Sequence, residues 1–256
     1  MTAHHALGLP RQQVQEVPVA IVCNGSTLGV MMASPTDLED FARGFALTEG
    51  LVVDVVTLED LEVIEHDAGI EVRFWLRGVA AAQLAERQRS LLGPVGCGLC
   101  GIDSLAKVAR SLPPLRHDRL RLTLDDAFAA PDQLRAHQPD HDRTRASHAA
   151  ALFRPGDGIL LAREDVGRHN ALDKLGGAMA AAGIDPSDCA VVLTSRVSTE
   201  MVQKTIALRV PALIAVSAAT DYATRIAQEA GLTLITRARG QTCEILSGTE
   251  RMAMPA

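Results

Sequence analysis

Two cysteines, Cys97 and Cys100, lie in the run Val95-Gly96-Cys97-Gly98-Leu99-Cys100-Gly101, with glycines on both outer flanks and one inside the pair. Thiols at this spacing serve three chemistries: half of a zinc site, a redox disulfide, or the relay of a sulfane sulfur. The thiolate is the reactive form, and a cysteine of pKa ~8.5 is only about 3% ionised at pH 7. A helix start after Gly101 supplies ~0.3–1 kcal/mol towards a lower pKa. Backbone N–H groups freed by the glycines, or a cation from elsewhere, must supply the rest.

A second set of residues points to anion binding. Arg168, His169 and Asn170 in "EDVGRHNALDK", and Ser195, Arg196 and Ser198 in "TSRVSTEMVQK", stand where an apolar run gives way to a helical pattern. Lys204 follows along the second of these helices. Backbone N–H groups and the helix dipole favour an anion there, and arginine adds a bidentate phosphate fork. Arg237 and Arg239 in "TRARG" follow the last apolar run of the series. Two basic strand-to-helix loops in one domain point to a phosphorylated ligand. For Ser198 and Thr199, helix capping reads equally well, and Glu164 and Asp165 are candidate ion-pair partners of the arginines.

Zinc needs four ligands, usually as two close pairs. The best partners for Cys97 and Cys100 are His137 and His141, far along the chain, and Pro139 disfavours a helix presenting both. A thioredoxin-like disulfide needs the helix to open at the cysteines. The glycines instead make a loose thiol loop, which suits movement between two partners and so favours sulfur relay.

The elements that must position these groups fall into two rhythms. "VPVAIVCNGSTLGVMM" is a hairpin about Asn24-Gly25, and "LEVIEHDAGIEVRFWL" is another through Asp67-Ala68-Gly69. Between them, Ser34-Pro35-Thr36-Asp37 reads as a helix start, Leu38, Phe41, Ala42 and Phe45 as its apolar stripe, and Gly50 as its stop. A short helix is expected over 105–112, halted by Pro113-Pro114. From about Pro131 to Ser147 the chain turns polar and reads as a linker. After it, "GILLA", "CAVVLTS", "PALIAVS" and "LTLITRA" alternate with three helical segments, the pattern of a layered α/β domain with a largely parallel sheet. Ligands in such sheets gather at the strand C-termini. The expected organisation is an α+β domain over 1–125 carrying the thiol loop, a linker over 126–147, and an α/β domain over 148–256.

Composition narrows the function classes. The net charge is −6, from 25 Lys+Arg against 31 Asp+Glu, which argues against broad nucleic-acid binding. No apolar run approaches the ~18 residues of a membrane span. The odd count of five cysteines and the absence of a signal-like apolar region near the N-terminus lead to the expectation of a reducing cytoplasm.

The segments "EVPVAIVCNG", "ASPTDLEDFARGFALTEG", "GCGLCG", "EDVGRHNALDK" and "RVSTEMVQK", in this order, resemble the formate dehydrogenase accessory sulfurtransferases of the FdhD/NarQ family, from about Glu16 to Glu250. The resemblance implies a homodimeric sulfur carrier with a C-terminal domain similar to the cytidine deaminase fold. It implies a cysteine desulfurase as donor and the molybdenum bis(molybdopterin guanine dinucleotide) cofactor as bound substrate, later inserted into formate dehydrogenase, with no permanent metal. Cys97 then carries the persulfide and Cys100 assists. The family's cofactor-binding loop falls on Arg237, Ala238, Arg239, Gly240, Gln241 and Thr242. Arg168, Arg196 and Arg239 are the expected phosphate ligands, with His169 and Lys204 beside them. Two other readings keep part of this set: a non-catalytic chaperone for the cofactor, and a zinc-stabilised binding module. The chain departs from the family pattern at the missing glycine between Ser195 and Arg196, and where Arg237 replaces an aromatic.

Overall fold

The computed structural model describes residues 12–54, 58–91, 114–115 and 118–253. Cys97, Cys100 and the helix expected over 105–112 lie outside them.

The first sheet is built from two hairpins. β1 (Val17–Cys23) and β2 (Ser26–Ala33) join through Asn24 and Gly25, both with positive φ, 50° and 74°, as the tight turn of a two-residue hairpin requires. β3 (Glu59–His66) and β4 (Gly69–Trp75) form the other, and the order is β2-β1-β4-β3 with β1 and β4 parallel. Helix α1 (Leu38–Thr48) covers one face, burying Phe41, Ala42 and Ala46 against Val19, Ile21, Val72 and Phe74. α2 (Gly78–Leu91) adds Leu84 to this core. α1 starts later than expected. Asp37, with φ 52°, is its N-cap, while Ser34 is buried and used elsewhere.

The second sheet has the order β10-β9-β8-β7-β5-β6. Its strands are β5 (His148–Arg154), β6 (Gly158–Asp165), β7 (Ala190–Leu193), β8 (Ala212–Ala215), β9 (Thr233–Arg239) and β10 (Thr242–Ser247). The sheet, expected to be largely parallel, pairs in parallel over β7-β8-β9, whereas β5 runs against both its neighbours and β10 against β9. Because β5 reverses twice, β6, β7, β8 and β9 all end at the same edge.

Both faces of this sheet are covered. α5 (Arg168–Ala181), α6 (Thr199–Ala207) and α7 (Asp221–Ala230) pack Leu172, Leu175, Met201, Ile206 and Ala227 onto Leu152, Val191 and Leu213. On the other face, α3 (Leu124–Arg135) packs Ala127, Ala130 and Leu134 onto Ala151, Phe153, Val192 and Ile214. Side chains alternate along a strand, so a sheet buried on both faces reads as an unbroken apolar run. The segment 126–147 is not the expected linker but is folded onto the sheet. It forms α3 and α4 (Pro139–Thr144). Pro131 suggests a break, but a capping box between Thr123 and Asp126 starts α3 upstream and the apolar stripe runs through the proline.

α1 and α5 join the two halves at backbone distance. A Cβ on Gly44 would lie 1.6 Å from the Asp173 carbonyl oxygen, and one on Gly177 would lie 1.9 Å from that of Asp40. Only glycine allows this crossing, and it sets the α1 C-terminus beside the N-terminal turns of α5 and α6.

Candidate functional site

At the shared edge, the ends of β7, β8 and β9 are laced together by backbone bonds. Val216 N–H donates to Leu193 O, Val197 N–H to Ala218 O, Thr220 N–H to Val197 O, and Arg237 N–H to Ser217 O, at 3.0–3.1 Å. The loops that carry Arg196 and Ser217 and the part of β9 that carries Arg237 are thus consecutive neighbours. Arg237 sits in a bulge: two residues, Arg237 and Ala238, stand opposite Cys243 alone. Its φ of 50° turns its N–H from the β9–β10 ladder to the β8 loop. Bulges re-aim side chains in this way.

Beside this edge opens a cleft of about 690 Å³, lined by Met31, Phe45, Thr48 and Glu49 from the first half and by His169, Asn170, Asp173, Ser198, Thr199, Glu200, Gln203, Lys204 and Thr220 from the second. The N-terminal ends of α5, α6 and α7 meet in it. Thr220 caps α7 by accepting from Ala223 N–H at 3.3 Å. Ser198, at the same position of α6, caps nothing, and its Oγ is buried without a partner among the described residues.

The cleft floor is a closed charge network. Lys204 Nζ lies 2.9–3.0 Å from Asp173 Oδ1 and Oδ2, Glu49 Oε1 and Thr48 Oγ1, and Thr48 donates to Asp173 Oδ1 at 2.7 Å. Burial works to lower the pKa of Lys204, but Asp173 and Glu49 outweigh it and raise it above the ordinary lysine value. The ammonium stays charged and its three donors are occupied. His169 Nε2 lies 2.7 Å from Glu200 Oε2, a close ionic approach rather than a well-directed hydrogen bond. Burial, then Arg168 and Lys204, push the His169 imidazole below its usual pKa, partly offset by Glu200.

The two acids beside the arginines are engaged elsewhere. Asp165 Oδ2 takes Ser34 N–H at 3.0 Å and pairs with Lys174 Nζ at 2.6 Å, both charges fully buried, and its Oδ1 takes Gly167 N–H and Asn170 Nδ2. Ser34, expected as a helix cap, instead closes this pair across the two halves: its O accepts from Lys174 and its Oγ from Val166 N–H. Glu164 accepts from Asp140 N–H, His141 N–H and Ser147 Oγ at 2.7–2.8 Å. Neither acid pairs with an arginine of the edge.

The expected ligand set therefore divides. Arg196 and Arg239 are exposed and pair with no carboxylate among the described residues. Arg237 is exposed and meets Glu244 at 3.2 Å. Arg168 keeps a buried Nε with no partner among the described residues. Gly240 (φ 57°) and Gln241 form the β9–β10 turn, and Thr242 Oγ1 donates to Arg239 O. The Ala238 side chain is fully buried in the core under α3. His169 and Lys204 line the cleft, where the formal charges of Glu49, Asp173 and Glu200 outnumber that of Lys204. A phosphate is better matched by the arginine rim than by this floor. Sequence reasoning missed Thr48, Glu49 and Asp173; the "DK" pair at 173–174 looks like an exposed helix face, and only the tertiary fold shows it buried.

The described cysteines are poor nucleophiles. Cys23 and Cys189 are buried, and burial pushes both thiols up to about 12. Burial also raises Cys243. Among the described residues no group of three or more His, Cys, Asp or Glu side chains is arranged to hold a metal; His141 Nδ1 lies 3.2 Å from Ser147 O and His137 is exposed. No helix among the described residues is long and apolar enough to cross a membrane.

Residues 14–253 match the FdhD/NarQ family. The chain is similar to the sulfur carrier protein FdhD of Agrobacterium fabrum, 45% identical over 240 residues that cover 94% of this chain and 89% of the relative. It is similar also to that of Cupriavidus necator, 48% identical over 225 residues, 88% and 78% of the two chains. Its fold matches the crystal structure of a protein from Desulfotalea psychrophila assigned as a formate dehydrogenase accessory protein, with a TM-score of 0.71 and 21% identity, covering 93% of this chain and 90% of that one.

Proposed function

Because this chain belongs to the FdhD/NarQ family, we propose that it is a sulfur carrier for formate dehydrogenase that accepts sulfur as a persulfide on Cys97 and delivers it to the bis(molybdopterin guanine dinucleotide) cofactor. The donor is a cysteine desulfurase. The Cys97 thiolate attacks the terminal sulfur of the donor's persulfide, the donor's S–S bond breaks, and the desulfurase thiolate leaves. The sulfur now on Cys97 is at the sulfane level, two electrons short of sulfide. Attack by the Cys100 thiolate on the Cys97 sulfur expels hydrosulfide and leaves a Cys97–Cys100 disulfide. Cys100 thus supplies the electron pair, and a cellular dithiol resets the pair. A thiol cycle of this kind belongs in a reducing cytoplasm, and the carrier works as a homodimer.

The observation that carries the binding part is the arginine rim. Among the described residues Arg196 and Arg239 pair with no carboxylate, and Glu164 and Asp165 are engaged elsewhere, which suits the phosphates of a guanine dinucleotide. The high pKa values of Cys23 and Cys189 favour Cys97 and Cys100 as the thiols that react.

The test is complementation. In a host lacking its own accessory carrier, this chain should restore formate dehydrogenase activity and Cys97→Ser should not. Full activity with Cys97→Ser, at equal protein level, would overturn the assignment.

A further inference from the structure

We propose that His169 is the proton-handling group of the cleft and that Glu200 is its positioning residue, so that the cleft ionises a thiol brought into it. This rests on the sulfur-carrier reading and adds a site to it.

The geometry makes a poor structural ion pair and a good base. The Glu200 side chain is 67% exposed, and a pair so open to water contributes little to stability. The carboxylate 2.7 Å from Nε2 electrostatically favours the tautomer with its proton on that nitrogen, which leaves the lone pair on Nδ1, as acids do for catalytic imidazoles. The charged groups around the ring are Arg168 on its own helix, Glu200 and Lys204 on α6, Asp173 beneath, and Glu49 from α1. Two of these cations and the helix N-terminus favour the neutral ring, as in other sites where an imidazole at a helix start stays uncharged.

The rest of the cleft suits sulfur. Ser198 Oγ, buried and unpartnered, is a donor with nothing among the described residues to donate to. A thiolate accepts such a bond, and the N-terminal ends of α6 and α7 favour its charge. Met31 and Phe45 on the opposite wall are soft, polarisable neighbours. In the step, a thiol gives its proton to His169 Nδ1, the thiolate attacks a sulfane sulfur, the S–S bond breaks towards the leaving thiolate, and the imidazolium returns its proton to solvent.

The experiment uses the full chain and a persulfidated cysteine desulfurase, with the rate of sulfur transfer followed by quenched intact mass across pH. Wild type should show an acidic limb below the ordinary histidine value of 6.5. His169→Gln should lower the rate about 100-fold, within the usual range for a lost general base, and abolish the limb. Glu200→Gln should move the limb to lower pH together with the NMR titration of His169; under a purely structural role the titration would move and the rate profile would not. Since Glu200 is exposed, that variant keeps its fold. If wild type takes up sulfur while His169→Gln keeps its rate and limb, or Glu200→Gln moves the titration without moving the limb, the His169 assignment is overturned and the carrier reading stands. A wild type that takes up no sulfur overturns both.

Discussion

On the cleft floor, Lys204 is enclosed by α1, α5 and α6, with Asp173, Glu49 and Thr48 on its ammonium. At the strand edge, Arg196 and Arg239 are exposed to solvent with no carboxylate partner among the described residues. Both sets are basic side chains at or beyond the C-terminal ends of parallel strands, and in sequence they look alike. The difference lies in what the tertiary fold supplies. α1, pressed onto α5 at Gly44 and Gly177, sets Glu49 beside the Asp173 that already faces Lys204, and no described acid pairs with Arg196 or Arg239. The floor is a fastening, and the rim is free to bind.

Breaking the fastening should give the largest effect. Lys204→Ala leaves the Asp173 carboxylate buried and unpaired, at a cost of about 3–5 kcal/mol in chemical denaturation. The double variant Lys204→Met/Asp173→Leu should regain most of that loss, because it removes both charges. A rim residue should behave the other way. Arg196→Ala/Arg239→Ala should leave stability within about 0.5 kcal/mol. It should weaken binding of guanosine diphosphate about tenfold or more, the value of a charge-assisted hydrogen bond of ~1.5–3 kcal/mol, and reduce the salt dependence of that binding.

Two smaller effects sharpen the contrast within the cleft. Thr220→Ala removes a real helix cap and should cost about 1 kcal/mol. Ser198→Ala, at the same position of the next helix, should be near neutral for stability because Ser198 Oγ caps nothing. The smallest is a pH effect. Burial, with Arg168 and His141 nearby, holds the half-buried His148 below its ordinary pKa of 6.5. The unfolded chain then binds more protons in that window, so stability rises with pH through it and is lost as pH falls. His148→Gln should flatten this part of the stability curve.

Much of the fold was legible in the sequence because local chemistry fixed it. Asn24-Gly25 permits one kind of turn, and α5, α6 and α7 follow strands that read as continuous apolar runs. α3 was hidden by Pro131, and β5 by "HAAA", since alanine has little strand preference and gains its place here only by lying between two covered faces. At the site, the strand-to-helix loops were legible because helix starts and arginines carry their own signal. The division between floor and rim was not, since Asp173 and Lys204 are 31 residues apart and Glu49 is 155 from Lys204. The bulge at Arg237 was also illegible, because it depends on register with β10.

The most direct measurement locates the sulfur. After incubation of the full chain with a cysteine desulfurase and cysteine, peptide mass spectrometry should find one added sulfur atom on the peptide that contains Cys97 and none on those of Cys23, Cys189 or Cys243. An added sulfur on one of those three, or the same loading in Cys97→Ser, would contradict it.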